Sequence, residues 1–144
     1  ERWKEMEVNY FGLVRMSRAF APILASNGGG ALINLLSILS RVASPKHGSY
    51  SASKSAAFAL TQAVRAELRA QGTLVIGVMP GFVDTDMAAE VDPTAKISPD
   101  VVVQAVFEAL RTGQKDVYPG ETATQVAAQL LVNPKAVEQA FGQL

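Results

Sequence analysis

Apolar residues recur at helical spacing at Met6, Tyr10, Leu13, Val14, Ala21 and Leu24, and Asn27 with Gly28, Gly29 and Gly30 closes the run with residues that tolerate positive φ. The pattern predicts a helix over about 2–26. ALINLL at 31–36 is short, mostly apolar and bounded by glycines and serines, as in a strand buried on both faces. A polar loop over 38–49 leads into SASKSAAFALTQAVRAELRAQG, residues 51–72, whose alanine, leucine and arginine content favours helix and whose Gly72 stops it. TLVIGVM, 73–79, repeats the buried-strand pattern. After it comes a long acid-bearing loop, PGFVDTDMAAEVDPTAK at 80–96. SPDVVVQAVFEALRTG then opens a helix with Ser98 as cap and Pro99 at the first helical position. KDVYPG, 115–120, predicts a weak third strand, and ETATQVAAQLL and NPKAVEQAF predict two terminal helices.

Strand and helix alternate in this order, which implies an α/β fold with a parallel sheet and right-handed crossovers. Residues 31–36, 74–79 and about 116–118 are expected to be parallel neighbours in that order, flanked by helices. Three strands make only part of a doubly wound sheet. In a βαβ unit the helix starts near the edge where the preceding strand ends, and open α/β sheets bind ligands outside the carboxyl ends of their strands. Ser37 closes the first strand, Tyr50 starts the next helix, and Pro80-Gly81 closes the second strand. All are expected to converge on that edge.

Composition narrows the partners. The chain has 144 residues, 49% apolar and 18% charged, which suits one soluble domain with a sizeable core. Lys+Arg and Asp+Glu balance at 13 each with no basic run, so neither nucleic acid nor a membrane surface is an expected partner. With no cysteine there is no disulfide framework, which fits a reducing, cytoplasmic setting. The chain opens on Glu1, already inside a helical pattern with no capping residue, and is therefore expected to be cut at its N-terminus.

The residues with chemistry lie at the expected edge. Tyr50 and Lys54 are four apart on a predicted helix and so share a face, about 5–6 Å apart at Cβ. A phenol is almost wholly protonated at neutral pH and is a poor base. A neighbouring ammonium and a helix N-terminus both stabilise the phenolate, which brings the phenol towards the range where it exchanges protons with an alcohol or carbonyl oxygen. Ser37 is placed to hydrogen-bond that same oxygen. His47, the sole histidine, lacks the G-x-S-x-G elbow that a serine hydrolase of this layout would carry. Asp84, Asp86, Glu90 and Asp92 are too irregularly spaced for a metal loop, and no metal site is expected. The glycines at 28–30 follow a helix and precede a strand, the reverse of a phosphate-binding loop.

Taken together, INLLSILSRVASPKHGSYSASKSA resembles the Ser, Tyr-x-x-x-Lys signature of the short-chain dehydrogenases/reductases, including its thirteen-residue gap. EVNYFG resembles the family's helix with a fourth catalytic position, which falls on Asn9. PGFVDTDM resembles the segment after its sixth strand. The resemblance covers essentially all 144 residues. It implies the C-terminal catalytic part of a Rossmann-like domain that moves hydride between NAD or NADP and a small alcohol or carbonyl substrate. Under it Tyr50 is the proton donor or acceptor, Ser37 its partner on the substrate oxygen, and Lys54 both lowers the phenol's pKa and holds the nicotinamide ribose. Asn9 holds a relay water through the helix backbone, and Pro80, Gly81, Val83 and Thr85 line the nicotinamide and nearby phosphate.

Two departures accompany the match. Leu36-Ser37 followed by Ile38 and Leu39 replaces the Ser-Ser pair and small residues of many relatives, with Ser40 as a spare serine at the wrong spacing. The glycine-rich fingerprint and the cofactor-selecting residues, roughly three βα units of about 30 residues each, are not in this sequence. Two rival readings follow: one part of a split or cleaved enzyme, and a non-catalytic assembly module. Relatives pair through helices corresponding to 2–26 and 51–70, where Ala52, Ala56, Ala59, Ala63 and Ala66 suit either close subunit packing or burial on the sheet. A homodimer or homotetramer is expected.

Overall fold

The computed structural model describes residues 2–144. Its three strands, β1 (Ala31–Leu35), β2 (Leu74–Val78) and β3 (Asp116–Val117), form one parallel sheet in the order β1-β2-β3. Ala31 is in register with Leu74, and Gly77 with Asp116. Beyond the strands the ladder runs on through Leu36 N–H to Val78 O, Met79 N–H to Val117 O and Ile38 N–H to Pro80 O. The carboxyl edge of the sheet is thus tied together up to the loops that carry the chemistry.

The first helical segment is α1 (Arg2–Met6), a π turn over Glu7–Phe11, and α2 (Gly12–Ser26). In the π turn the Gly12 N–H reaches back five residues to Glu7 O. Between β1 and β2 runs α3 (Gly48–Glu67); α4 (Pro99–Thr112) precedes β3, and α5 (Glu121–Val132) and α6 (Pro134–Phe141) end the chain. Gly72, at φ 74°, ends the α3 segment in the left-handed region. The glycine triplet is a turn at the amino edge of the sheet. A Cβ on Gly29 would stand 2.6 Å from Gly72 O, so two chain segments meet there too closely for any side chain.

Strand parity divides the core between the two faces. Leu32, Asn34 and Leu36 with Val75, Gly77 and Met79 face α2 and α3, packing on Leu13, Ala21, Ala57, Val64 and Leu68. Ile76, Val78 and Val117 face α4, through Val102, Ala105, Val106 and Ala109. Two polar residues face the α3 side without cost: Asn34 Nδ2 donates to Thr61 Oγ1 at 3.0 Å, and Thr61 Oγ1 donates to Ala57 O at 2.8 Å. Arg65, from α3, bonds Val75 O, Lys115 O and Asp116 Oδ1 and so ties the short β3 to β2.

Burial departs from expectation at β1. Its pattern predicts burial on both faces, yet Ile33 and Leu35 are 41% and 62% exposed. Both point to the α4 side, and α4 covers only β2 and β3. The free edge of β1 lies beside this uncovered face.

Candidate active site

Ser37 follows β1 in extended conformation, is buried, and its Oγ accepts from Leu39 N–H at 3.1 Å. Its loop is held from two sides. Ser40 Oγ donates to Ser37 O at 2.6 Å, and Ser55 Oγ, from α3, donates to Ser40 O at 3.0 Å. Ser40, the spare serine of the sequence, is therefore a brace for Ser37. Tyr50 lies half-buried in the first turn of α3, with Lys54 one turn on, its Nζ 5.8 Å from the phenol ring centroid. Asn9 sits in the π turn, and its Nδ2 donates to Ser53 Oγ at 3.0 Å; Ser53 Oγ in turn donates to Tyr50 O at 2.8 Å. The amide thus locks the first turn of α3 against the π turn.

Burial sets the electrostatics. It pushes the Tyr50 phenol above its ordinary pKa; the Ser37 hydroxyl beside it draws it back down, and the charge of Glu5 raises it further. Burial alone lowers the pKa of Lys54. Sequence reasoning expects Lys54 to depress the phenol. In the structure its ammonium instead donates to Leu35 O at 3.0 Å, and the phenol's shift comes from burial first, then from Ser37 and Glu5. Tyr50 is consequently a phenol with its proton in place.

The second strand's loop reaches the same edge. Pro80 is buried and accepts from Ile38 N–H, Gly81 has open space where a Cβ would stand, and Val83 pairs with Ile97 in a short bridge. Thr85 is exposed, and its Oγ1 makes only a 3.4 Å bond to Val83 O. Two of the loop's four acidic residues are otherwise engaged: Asp84 pairs with Lys96 at 3.3 Å and Asp92 Oδ1 accepts from Thr94. Among the described residues no three His, Cys, Asp or Glu side chains group to hold a metal ion.

Sequence reasoning missed one contact at this edge. Arg41 donates to the Tyr118 hydroxyl and lies 4.9 Å above the Phe58 ring, joining the Ser37 loop to the chain after β3. Tyr118 directly follows the third strand. The strand-edge argument that located Ser37 and Pro80 applies to it equally.

The family model for short chain dehydrogenases matches residues 1–96. The chain belongs to that family. It is 47% identical to a short chain dehydrogenase from Burkholderia cenocepacia J2315 crystallised with NADP, over 98% of this chain and 59% of that one, with a TM-score of 0.92. A short-chain dehydrogenase from Sphingobium yanoikuyae in complex with NADPH is 26% identical, at a TM-score of 0.67 over 86% of this chain and 53% of that one. Short chain dehydrogenase mpl6 of Monascus purpureus is 34% identical over 108 residues, 72% of this chain and 37% of the relative. The chain spans less than half the length of these curated relatives, between 37% and 49%.

Proposed function

We propose that the intact protein is an NAD(P)-dependent oxidoreductase that interconverts an alcohol and a carbonyl compound, with Tyr50 as the acid-base residue. The observation that carries this reading is the meeting of Ser37, Tyr50 and Lys54 at the carboxyl edge of a parallel sheet, with the phenol half-buried and protonated. NADP(H) is the favoured form because two similar structures hold it.

The residues present fit one end of such a cofactor. The Tyr50 hydroxyl, the Lys54 ammonium and the Thr85 hydroxyl are donors for a ribose and a carboxamide, and the bare Cα of Gly81 permits close approach. A pyrophosphate cradle is not among them, since Gly28–Gly30 form a packed turn on the opposite edge. A bound nicotinamide supplies or accepts the hydride. The protein's part is orientation and proton handling. Ser37 Oγ and Tyr50 Oη hold the substrate oxygen, and Tyr50 gives it a proton as the carbonyl is reduced, or takes one back as the alcohol is oxidised. Lys54 holds the ribose, and its charge steadies the phenolate once formed. The π turn at Asn9 orients a backbone carbonyl to a relay water.

The intact protein is expected to consume NADPH in the presence of a subset of ketones and aldehydes, followed at 340 nm. No carbonyl-dependent oxidation of NADPH or NADH across a broad panel would overturn the reading.

A location in the cytoplasm and association into at least a dimer belong to the same proposal. Ala52, Ala59, Ala63 and Ala66 are exposed on the outer face of α3, so burial on the sheet does not account for them. Phe11, Met16 and Phe20 are also exposed on the first helical segment. Light scattering at micromolar concentration should return at least twice the monomer mass; a monomer removes the assembly role. An assembly module without catalysis is separated from the enzyme by the 340 nm assay.

A further inference from the structure

We propose that Glu5 is a positioning residue for the acid-base step: its carboxylate biases Tyr50 towards the protonated, carbonyl-reducing form. The inference rests on the reading of Tyr50 as proton donor. Glu5 Oε2 is buried and has no hydrogen-bond partner among the described residues. An unpaired carboxylate oxygen out of water is costly, and a chain that keeps one calls for a reason.

Helix register gives its place. The first helical segment and α3 run side by side in the same direction, since Asn9 bonds Ser53 near their starts and Gln71 Nε2 bonds Ala21 O near their ends. Leu13 continues the stripe onto the cluster of Ala57. The offset between Asn9 and Ser53 is 44 residues. One turn earlier, the same offset sets Glu5 against Ser49, next to Tyr50, and α1 packs on α3 there. Glu5 and Asn9 are four apart on the one stripe that faces α3.

The other charged groups around the phenol leave Glu5 Oε2 without a partner. Lys54, on α3, is bonded to Leu35 O, and Arg41, from the Ser37 loop, is bonded to Tyr118. On α1 and the π turn, Lys4 is exposed and Glu7 pairs with Arg15. Arg2 and Lys46 line an open cleft at the start of α3, and His47 is exposed. Ser37, in the loop after β1, is neutral. Glu5, with no hydrogen-bond partner at Oε2 among the described residues, therefore acts on Tyr50 as a nearby negative charge, and its effect is to raise the phenol's pKa. A negative neighbour disfavours phenolate, so loss of that charge lowers the pKa and increases phenolate at a given pH.

The test is direct titration of the phenol in the intact protein labelled with tyrosine carrying 13C at Cζ, with Tyr50→Phe identifying the Tyr50 resonance. Glu5→Gln should move the midpoint to lower pH, giving about threefold more phenolate at a fixed pH below it. Glu5→Asp, which keeps the charge, should stay close to the parent, and Ser37→Ala should move the midpoint the opposite way. Should Glu5→Gln fail to fold, Glu5→Met serves with the same expectation. Coincident titrations for parent and uncharged variant overturn the proposal, as do equal shifts in the Gln and Asp variants, which would mark a packing effect. The readout needs no turnover. A shift as expected in a protein that never oxidises NADPH would sink the oxidoreductase reading and leave the Glu5 coupling standing.

Discussion

Tyr50→Phe in the intact protein is expected to cut turnover by about 10²- to 10⁴-fold, the usual worth of a positioned proton donor, with NADPH affinity reduced far less, since the contacts proposed for Lys54 and Thr85 remain. The substitution removes one hydroxyl and keeps the ring that packs at the start of α3. The lock on that turn runs through Tyr50 O, a backbone atom that accepts from Ser53 and survives the change. Lys54→Met should behave differently. It deletes the donor to Leu35 O and the proposed ribose contact together, so affinity and turnover fall in parallel. Stopped-flow turnover combined with fluorescence titration of NADPH separates the two patterns. Normal turnover by Tyr50→Phe with a good substrate would remove Tyr50 from the acid-base role, and unaltered NADPH binding by Lys54→Met would remove the ribose contact.

Periodicity found the elements because each is set by local residues. Gly72 and Gly113 stop their helices in left-handed conformation, Pro99 sits in the first turn of α4, and the apolar runs at 31–36 and 73–79 hold β1 and β2 with ends shifted by one residue. The place of the candidate site was legible for the same reason. Strand ends define the carboxyl edge, and Ser37, Tyr50 and Pro80 stand next to strand ends or at a helix start.

What escaped depends on who covers whom. Nothing in ALINLL tells that Ile33 and Leu35 face a side where α4 does not reach. The direction of the Tyr50 shift escaped because spacing reports Lys54 and says nothing of desolvation, the larger effect here. The π turn likewise has no signature in EVNYF that separates it from ordinary helix; in the structure it is the segment from which Asn9 bonds Ser53.

The largest effect expected on binding comes from length. A polypeptide of residues 1–144 taken alone should bind NADPH at least about 10²-fold more weakly than one spanning the full length of the family's relatives. A dinucleotide's pyrophosphate is normally held by a glycine-rich turn opening onto a helix N-terminus, where several backbone N–H groups and the helix dipole meet the charge. No G-x-G-x-x-G occurs in this sequence, and Gly29 is fully committed to its contact with Gly72. The contacts proposed for Tyr50, Lys54 and Thr85 would reach only the nicotinamide end. The 98% of this chain that matches the Burkholderia structure corresponds to 59% of that NADP-bound protein, which leaves room there for the phosphate-binding units. The free edge of β1, beside exposed Ile33 and Leu35, should also make the shorter polypeptide prone to pairing with other strands. Calorimetric titration of both lengths with NADPH and NADH decides it. Binding of equal strength by residues 1–144 would mean that the cofactor site lies within these three strands, and that the turn at Gly28–Gly30 or the loop at 80–85 has been misjudged.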